Sequence, residues 1–150
     1  MLASGVAVQD ECLRVYEDIK LRRRYKYVVY RMSEDDKVII VDQLGEPGAT
    51  YEEFVGHLKE AEVVHDCRYG VFDFDYLIER TGGTSLTQNK LLFFIWCPDS
   101  AKIKRKMLYT SSKSAIRKKL QGIHAEIQCT DQSEVGHDYV LEKVRDRERN

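Results

Sequence analysis

Apolar residues in the first part of the chain recur at intervals that only a helix brings together. Val8, Cys12, Val15, Tyr16 and Ile19 stand at i, i+4, i+7, i+8 and i+11. Asp10 and Glu11 lie near the start and Lys20 to Arg24 at the far end, so the charges complement the helix dipole. The period then changes. Tyr25 to Met32 and Lys37 to Asp42 are rich in Val, Ile and Tyr and flank the polar stretch Ser33 to Asp36, which predicts a hairpin. Gly45-Glu46-Pro47-Gly48 interrupts the chain, and Thr50 with Glu53 makes a capping box ahead of Tyr51, Phe54, Val55 and Leu58, predicting a second helix. Within Arg68 to Tyr76, alternation puts Gly70, Phe72, Phe74 and Tyr76 on one face of a half-exposed strand, whereas Lys90 to Cys97 is almost continuously apolar and reads as a central strand.

The segment from Pro98 to His124 is too long for a hairpin and long enough for a helical crossover, so the alternating strand Ala125, Ile127, Cys129 should run parallel to its neighbour. Asp131 or Ser133 can cap a last helix starting at Glu134, with Val140, Leu141 and Val144 facing inward and residues 146–150 frayed. The order αββαββαβα predicts an α+β domain: a mixed, mostly antiparallel five-stranded sheet flanked by helices, its last strand parallel.

Composition fits one globular domain of 150 residues, 43% hydrophobic and 10% aromatic, with few Gly and Pro. No apolar run approaches the roughly 20 residues of a membrane span and the start lacks a signal-peptide layout, so a soluble intracellular protein is expected. Cys12, Cys67, Cys97 and Cys129 sit apart within apolar patterns and read as buried reduced thiols. His57, His65, His124 and His137 show no metal-binding spacing, and no Walker or dinucleotide loop is present. Gly82-Gly83 reads as a loop tip, and the Asp73/Asp75 pair as an exposed strand face beside a basic helix rather than catalytic carboxylates. No enzyme activity, metal or cofactor is expected.

Charge supplies the feature that does point to function. Asp99 to Leu120 holds eight Lys or Arg against one acid, in a chain of net charge −1. A merely solvated helix usually interleaves Glu with Lys, so this imbalance suggests a face that meets an acidic surface. On a straight helix Lys102, Lys106, Lys113 and Arg117 would form one stripe. The apolar pairs Ile103/Met107 and Ile116/Leu120 would not share a face, so a break is expected near Thr110-Ser111-Ser112. Nucleic acid is a poor fit, because Tyr109 is the only aromatic among these charges.

Lys104 to Ile123 resembles the long helix of the actin-depolymerising factor/cofilin family, whose members carry a run like KxKMLYxSSKxAIRKKLxGI. The resemblance extends to Ala3-Ser4-Gly5-Val6, Tyr69 to Phe74, Trp96-Cys97-Pro98-Asp99 and Val140 to Val144. The Gly45-Glu46-Pro47 turn, the Tyr51 to Phe54 segment and Cys67-Arg68-Tyr69 look most like the plant branch. The resemblance implies a single domain of that family over residues 1–150, with 1–7 a flexible actin-binding tail, and a monomeric non-enzyme that binds actin monomers and filaments. Ser4, Gly5, Val6, Lys104, Lys106, Met107, Arg117 and Lys118 carry over as the monomer-binding face; Met107 reads equally as an apolar anchor or as core packing beside Ile103. Lys90, Glu142 and Lys143 match the filament-specific face, before the fourth strand and on the last helix.

Two departures fall on that second face. Gln88 and Asp146 stand where relatives commonly carry a basic residue, and the loop Glu79 to Asn89 is polar and long. They keep open an alternative, a monomer- or lipid-binding module with weak filament binding and no severing. The resemblance further implies that a kinase and a phosphatase act on Ser4, since phosphate adds about −1.5 to −2 charges beside an acidic partner. Leu2 should preserve the initiator methionine and lengthen that tail. Phosphoinositide headgroups, as inhibitors, would meet Lys104, Lys106, Lys113, Arg117, Lys118 and Lys119. Location on the cytoplasmic actin cytoskeleton is implied. Lys20, Arg22-Arg23-Arg24 and Lys26 read either as a nuclear entry signal or as charges favoured at a helix C-terminus, and His137 as a pH-tuning or a structural histidine.

Overall fold

The computed structural model describes residues 5–79 and 82–149. In chain order its elements are β1 (Ala7–Val8), α1 (Asp10–Lys20), β2 (Tyr27–Met32), β3 (Val38–Gly45), α2 (Tyr51–Val63), β4 (Arg68–Glu79), β5 (Ser85–Trp96), α3 (Ile103–Arg117), β6 (Ala125–Cys129) and α4 (His137–Arg149). The strands form one sheet in the order β1-β3-β2-β4-β5-β6. Hairpin and meander connections make β3, β2, β4 and β5 antiparallel, while β6 returns parallel to β5 after the α3 crossover.

Local chemistry sets several element ends. Thr50 Oγ1 accepts from the Glu53 amide at 3.1 Å, and Glu53 Oε2 accepts from the Thr50 amide at 3.0 Å, closing the predicted capping box of α2. α1 buries Cys12, Val15, Tyr16 and Ile19, as their spacing requires, with Asp10 and Glu11 in its first turn and Lys20 in its last. The sheet is covered on both sides. α1 and α3 enclose Tyr30, Tyr69, Phe93 and Tyr109 on one face, and α2 and α4 enclose Phe54, Phe72, Phe94 and Trp96 on the other. Tyr109 ties the first layer together, its hydroxyl accepting from the Met32 amide at 2.9 Å while its carbonyl accepts from the Tyr69 hydroxyl.

Several expectations are corrected. The sheet has six strands rather than five, because Ala7 and Val8 pair parallel with Val38 and Ile39. Ala7 N donates to Lys37 O at 2.9 Å and Gln9 N to Ile39 O at 3.0 Å, which takes Ala7 out of the expected tail and Val8 out of α1. A two-residue strand has no readable period. β4 is not half-exposed: Tyr69 to Phe74 are buried on both faces because helices cover both, and Asp73 is only 7% exposed. Asp73 accepts from Asn89 Nδ2 at 3.0 Å and Asp75 pairs with Lys26 at 2.7 Å, so the cations that balance this pair come from the segment after α1 and not from α3. Arg23 also approaches Asp73, at 4.0 Å.

The stretch from Glu79 to Asn89 is largely strand. β4 and β5 pair from Arg68↔Trp96 to Glu79↔Ser85, since the backbone ladder continues where the polar side chains of Thr87, Gln88 and Asn89 leave the apolar pattern. α3 runs unbroken through Thr110-Ser111-Ser112; the two apolar pairs need share no face, because Ile103 and Met107 point to solvent. A separate 3-10 turn, Gln132–Val135, precedes α4, which starts at His137 instead of Glu134. Asp131 Oδ1 accepts from the Ser133 and Glu134 amides and makes that turn its own unit. α4 continues through residues 146–149 rather than fraying, with Arg147 Nε donating to His124 O at 2.9 Å and Arg145 Nη2 to Leu77 O at 3.4 Å. The four cysteines are free, and all but Cys97 are buried.

Gly70 shows how closely α2 rests on the sheet. A Cβ there would lie 2.7 Å from Phe54 Cζ and 3.4 Å from Leu58 Cδ2. Gly70→Ala should therefore lower stability by about 1–3 kcal/mol through overpacking, read as a lower urea midpoint with an unchanged slope.

Candidate functional site

α3 divides its residues between three duties. Tyr109, Ser112 and Ile116 face the core. Lys113 and Arg117 reach across to β6, where Glu126 takes them at 2.8 and 3.2 Å. Lys106 Nζ donates to Asp99 O at 3.2 Å. The stripe Lys102, Lys106, Lys113, Arg117 is therefore largely engaged within the protein and is not its free face. That face is the next row round the helix, where Ile103, Lys104, Met107, Thr110, Ser111, Ser114 and Lys118 recur at three- and four-residue steps and are all exposed. Ile103 is 74% and Met107 65% exposed, so the core-packing reading of Met107 is overturned.

The start of α3 runs against helix electrostatics. Its first turn holds no acid, its N-cap Lys102 makes no side-chain capping bond, and Lys104 follows at the positive end of the dipole. A purely structural helix gains from acids there, so cations in this position are not explained by the stability of α3. Arg105 is the cation in this turn that the fold holds in ion pairs. It pairs with Asp36 at 2.7 Å and Asp66 at 2.9 Å, continuing a chain of alternating charges through Arg68, Asp42 and Arg31. Burial pushes the Asp66 carboxyl up, but the Arg105 hydrogen bond, the Cys67 amide and the Arg105 and Arg68 charges outweigh it and hold the group below its ordinary value. These partners lie 37 to 74 residues from Arg105 in sequence, beyond any periodicity argument.

The N-terminal segment comes to the same place. β1 lies against α3, Val6 and Val8 pack on the α1/α3 core, and Gly5 is exposed at φ +78°. Gly5 and Val6 are thus adjacent to the α3 layer; Ser4 lies outside the described residues. Of the sequence-predicted face, Lys104, Met107 and Lys118 are exposed on the outer row of α3, Gly5 is exposed and Val6 packs on the α1/α3 core beside it, while Lys106 and Arg117 are held in internal contacts. Lys119 is exposed just beyond the helix end. Ile103 was missed as a surface residue, since an isoleucine in a helix is expected to be buried.

The second predicted face lies on the opposite side of the sheet. Lys90 stands opposite Phe74 on β5, half-buried on the α2/α4 side, and Gln88 opposite Tyr76. Glu142 and Lys143 are exposed on α4, with Lys143 Nζ 5.4 Å from the centroid of the Tyr139 ring. Asp146 follows them on the same helix, between Arg145 and Arg147, both of which donate to backbone carbonyls. His137 lies at the start of α4 with its ring 5.2 Å from that of Phe74. Among the described residues no group of three His, Cys, Asp or Glu is placed to hold a metal, and no helix is long and apolar enough to cross a membrane.

Residues 5–145 match the family model described as cofilin/tropomyosin-type actin-binding protein. The chain belongs to that family. Among its relatives, actophorin of Acanthamoeba castellanii is 42% identical over 142 residues, covering 95% of this chain and 96% of its own. Actin-depolymerizing factor 6 of Oryza sativa subsp. japonica is 38% identical over 138 residues, covering 92% and 94%, so identity does not single out the plant branch. The crystal structure of Streptomyces griseoflavus cofilin superposes with a TM-score of 0.81 at 38% identity, covering 93% of this chain and 97% of that one. The mixed α+β architecture of this family member is therefore that of its cofilin relatives.

Arg105 and Asp66 give a test of what positions α3 in this cofilin-family chain. Arg105→Met should destabilise the protein by about 1–3 kcal/mol at neutral pH, because Asp66 then keeps a half-buried charge without its main partner. A carboxyl held low when folded contributes stability above its unfolded pKa and loses it as pH falls through the folded one. The gap between wild type and Arg105→Met should accordingly narrow as pH drops below the ordinary aspartate value of 3.8, measured by thermal unfolding across pH.

Proposed function

We propose that this protein binds actin through the outer row of α3 and the adjoining N-terminal segment, and through that contact promotes filament severing and depolymerisation. The observation that carries the reading is the exposed apolar pair Ile103 and Met107 beside Lys104, with cations kept where the helix dipole disfavours them. Apolar anchors rimmed by unpaired cations suit a partner surface that is acidic around an apolar cleft. Membership of a family of actin-binding proteins supplies the partner. On this reading the protein acts in the cytoplasm on the actin cytoskeleton, as a monomer and without catalysing a reaction.

Lys90, Glu142 and Lys143 form the second contact, to the neighbouring subunit of a filament. Their position across the sheet from α3 supports it, since a wedge between two subunits needs separate surfaces. Regulation follows from the same charges. A phosphate on Ser4, set by a kinase and removed by a phosphatase, would add negative charge one residue ahead of Gly5 and oppose an acidic partner. Phosphoinositide headgroups would compete at Lys104, Lys118 and Lys119, which are exposed, with Lys106, Lys113 and Arg117 at the rim.

A second reading, monomer binding without severing, is favoured by Gln88 and Asp146, and by Arg145 and Arg147 being turned toward backbone carbonyls. Sedimentation of actin filaments separates the two. Co-pelleting with a rise in soluble actin supports the first reading; soluble actin rising without co-pelleting supports the second; no effect on actin overturns both. Lys104→Glu combined with Met107→Ala should weaken actin binding by about tenfold or more, while thermal stability holds or rises slightly because an acid now sits at the helix N-terminus. Gln88→Lys with Asp146→Lys should increase the protein found in the filament pellet, measured at low and moderate salt, with the gain shrinking as salt is raised.

A further inference from the structure

We propose that Cys67 and Cys97 form a dithiol site that a hydroperoxide converts to a disulfide across the paired ends of β4 and β5. The sheet register supports it. Arg68 stands opposite Trp96, and the next step outward sets Cys67 opposite Cys97. Cys97 N donates to Cys129 O at 3.0 Å, and Leu91 O, an even number of residues along the same strand, accepts from His124 N at 2.8 Å. The polar backbone groups of Cys97 therefore face β6 and turn away from β4. That makes Cys67 and Cys97 a non-hydrogen-bonded pair, the kind in which opposed Cα atoms approach to about 4.5 Å and side chains lie closest. Disulfides form at Cα separations of about 4.4–6.8 Å, the range into which such an opposed pair falls.

The two side chains also share a face and an environment. Both pack with the α1/α3 core, and each thiol shifts the ionisation of the other. Their exposures differ in the useful sense: Cys67 is fully buried and Cys97 is half-buried, so only Cys97 is open to a small oxidant. The neighbouring Cys67 thiol, able to donate to a Cys97 thiolate, lowers the Cys97 thiol, and Lys106 adds to this against burial and the Asp66 carboxylate. Burial pushes the Cys12 thiol up to about 12 and raises Cys129 likewise, leaving Cys97 the one described thiol inclined to ionise.

The chemistry balances with a hydroperoxide as the two-electron oxidant. The Cys97 thiolate attacks the O–O bond, which breaks to give a sulfenic acid and, with one proton, an alcohol or water. The Cys67 sulfur then displaces the hydroxyl from Cys97 sulfur, the S–S bond forms, and a second water leaves with the Cys67 proton. This site stands independently of the actin reading.

The full-length reduced protein should be treated with hydrogen peroxide and its intact mass taken, followed by digestion without reductant. The expected result is loss of the mass of two hydrogens, a linked peptide pair carrying Cys67 and Cys97, and reversal by a thiol reductant. Cys12→Ser should leave that linkage unchanged, and Cys97→Ser should abolish it. The proposal is overturned if wild-type Cys97 instead gains oxygen without cross-linking, if the linkage joins other cysteines, or if no mass change occurs. Wild type alone decides these outcomes, so a variant that misfolds does not remove the test.

Discussion

The antiparallel pairing of β4 with β5, Arg68↔Trp96 through Glu79↔Ser85, is the frame from which the rest is hung. Both strands lie inside the sheet, so each carries apolar side chains on two faces and neither face can be left to water. Two helical layers follow of necessity, α1 with α3 on one side and α2 with α4 on the other. The functional geometry is a by-product of that cover. α3 is the crossover that makes β6 parallel, so it must lie along the sheet with one row inward, and its opposite row is left to the solvent.

Elements whose cause is local were readable from the chain. Thr50 and Glu53 cap each other three residues apart, and Cys12, Val15, Tyr16 and Ile19 fall on one stripe whatever surrounds them. The parallel last strand followed from the length of the crossover alone. What escaped the sequence was settled by distant partners. β1 exists because the edge of β3 offers Lys37 and Ile39 carbonyls to two residues that have no pattern of their own. The hairpin extends to Glu79 and Ser85 because backbone pairing does not require apolar side chains.

The candidate site was legible in composition and misread in geometry. The concentration of cations between Asp99 and Leu120 pointed to α3, but the spacing of like charges selected a row that the fold largely engages. Glu126, on a strand that begins after α3 has ended, draws Lys113 and Arg117 to one flank. Treating Ile103 and Met107 as core residues then demanded a break that the helix does not have. Hydrophobic residues placed outside are the informative exception, and here they mark the face more clearly than the charges do.

The cations at the start of α3 have a further meaning for the free protein. With Lys102 and Lys104 at the positive end of the dipole and no acid in the first turn, the unbound helix lacks the counter-charge its own terminus calls for. An anionic surface arriving there completes the helix end as a capping side chain would. Recognition and local folding then draw on one free-energy term, and by linkage the ligand is held more tightly to the degree that it firms the helix it touches. Any anionic partner of the kind proposed above would act on α3 in this one way, as its missing cap.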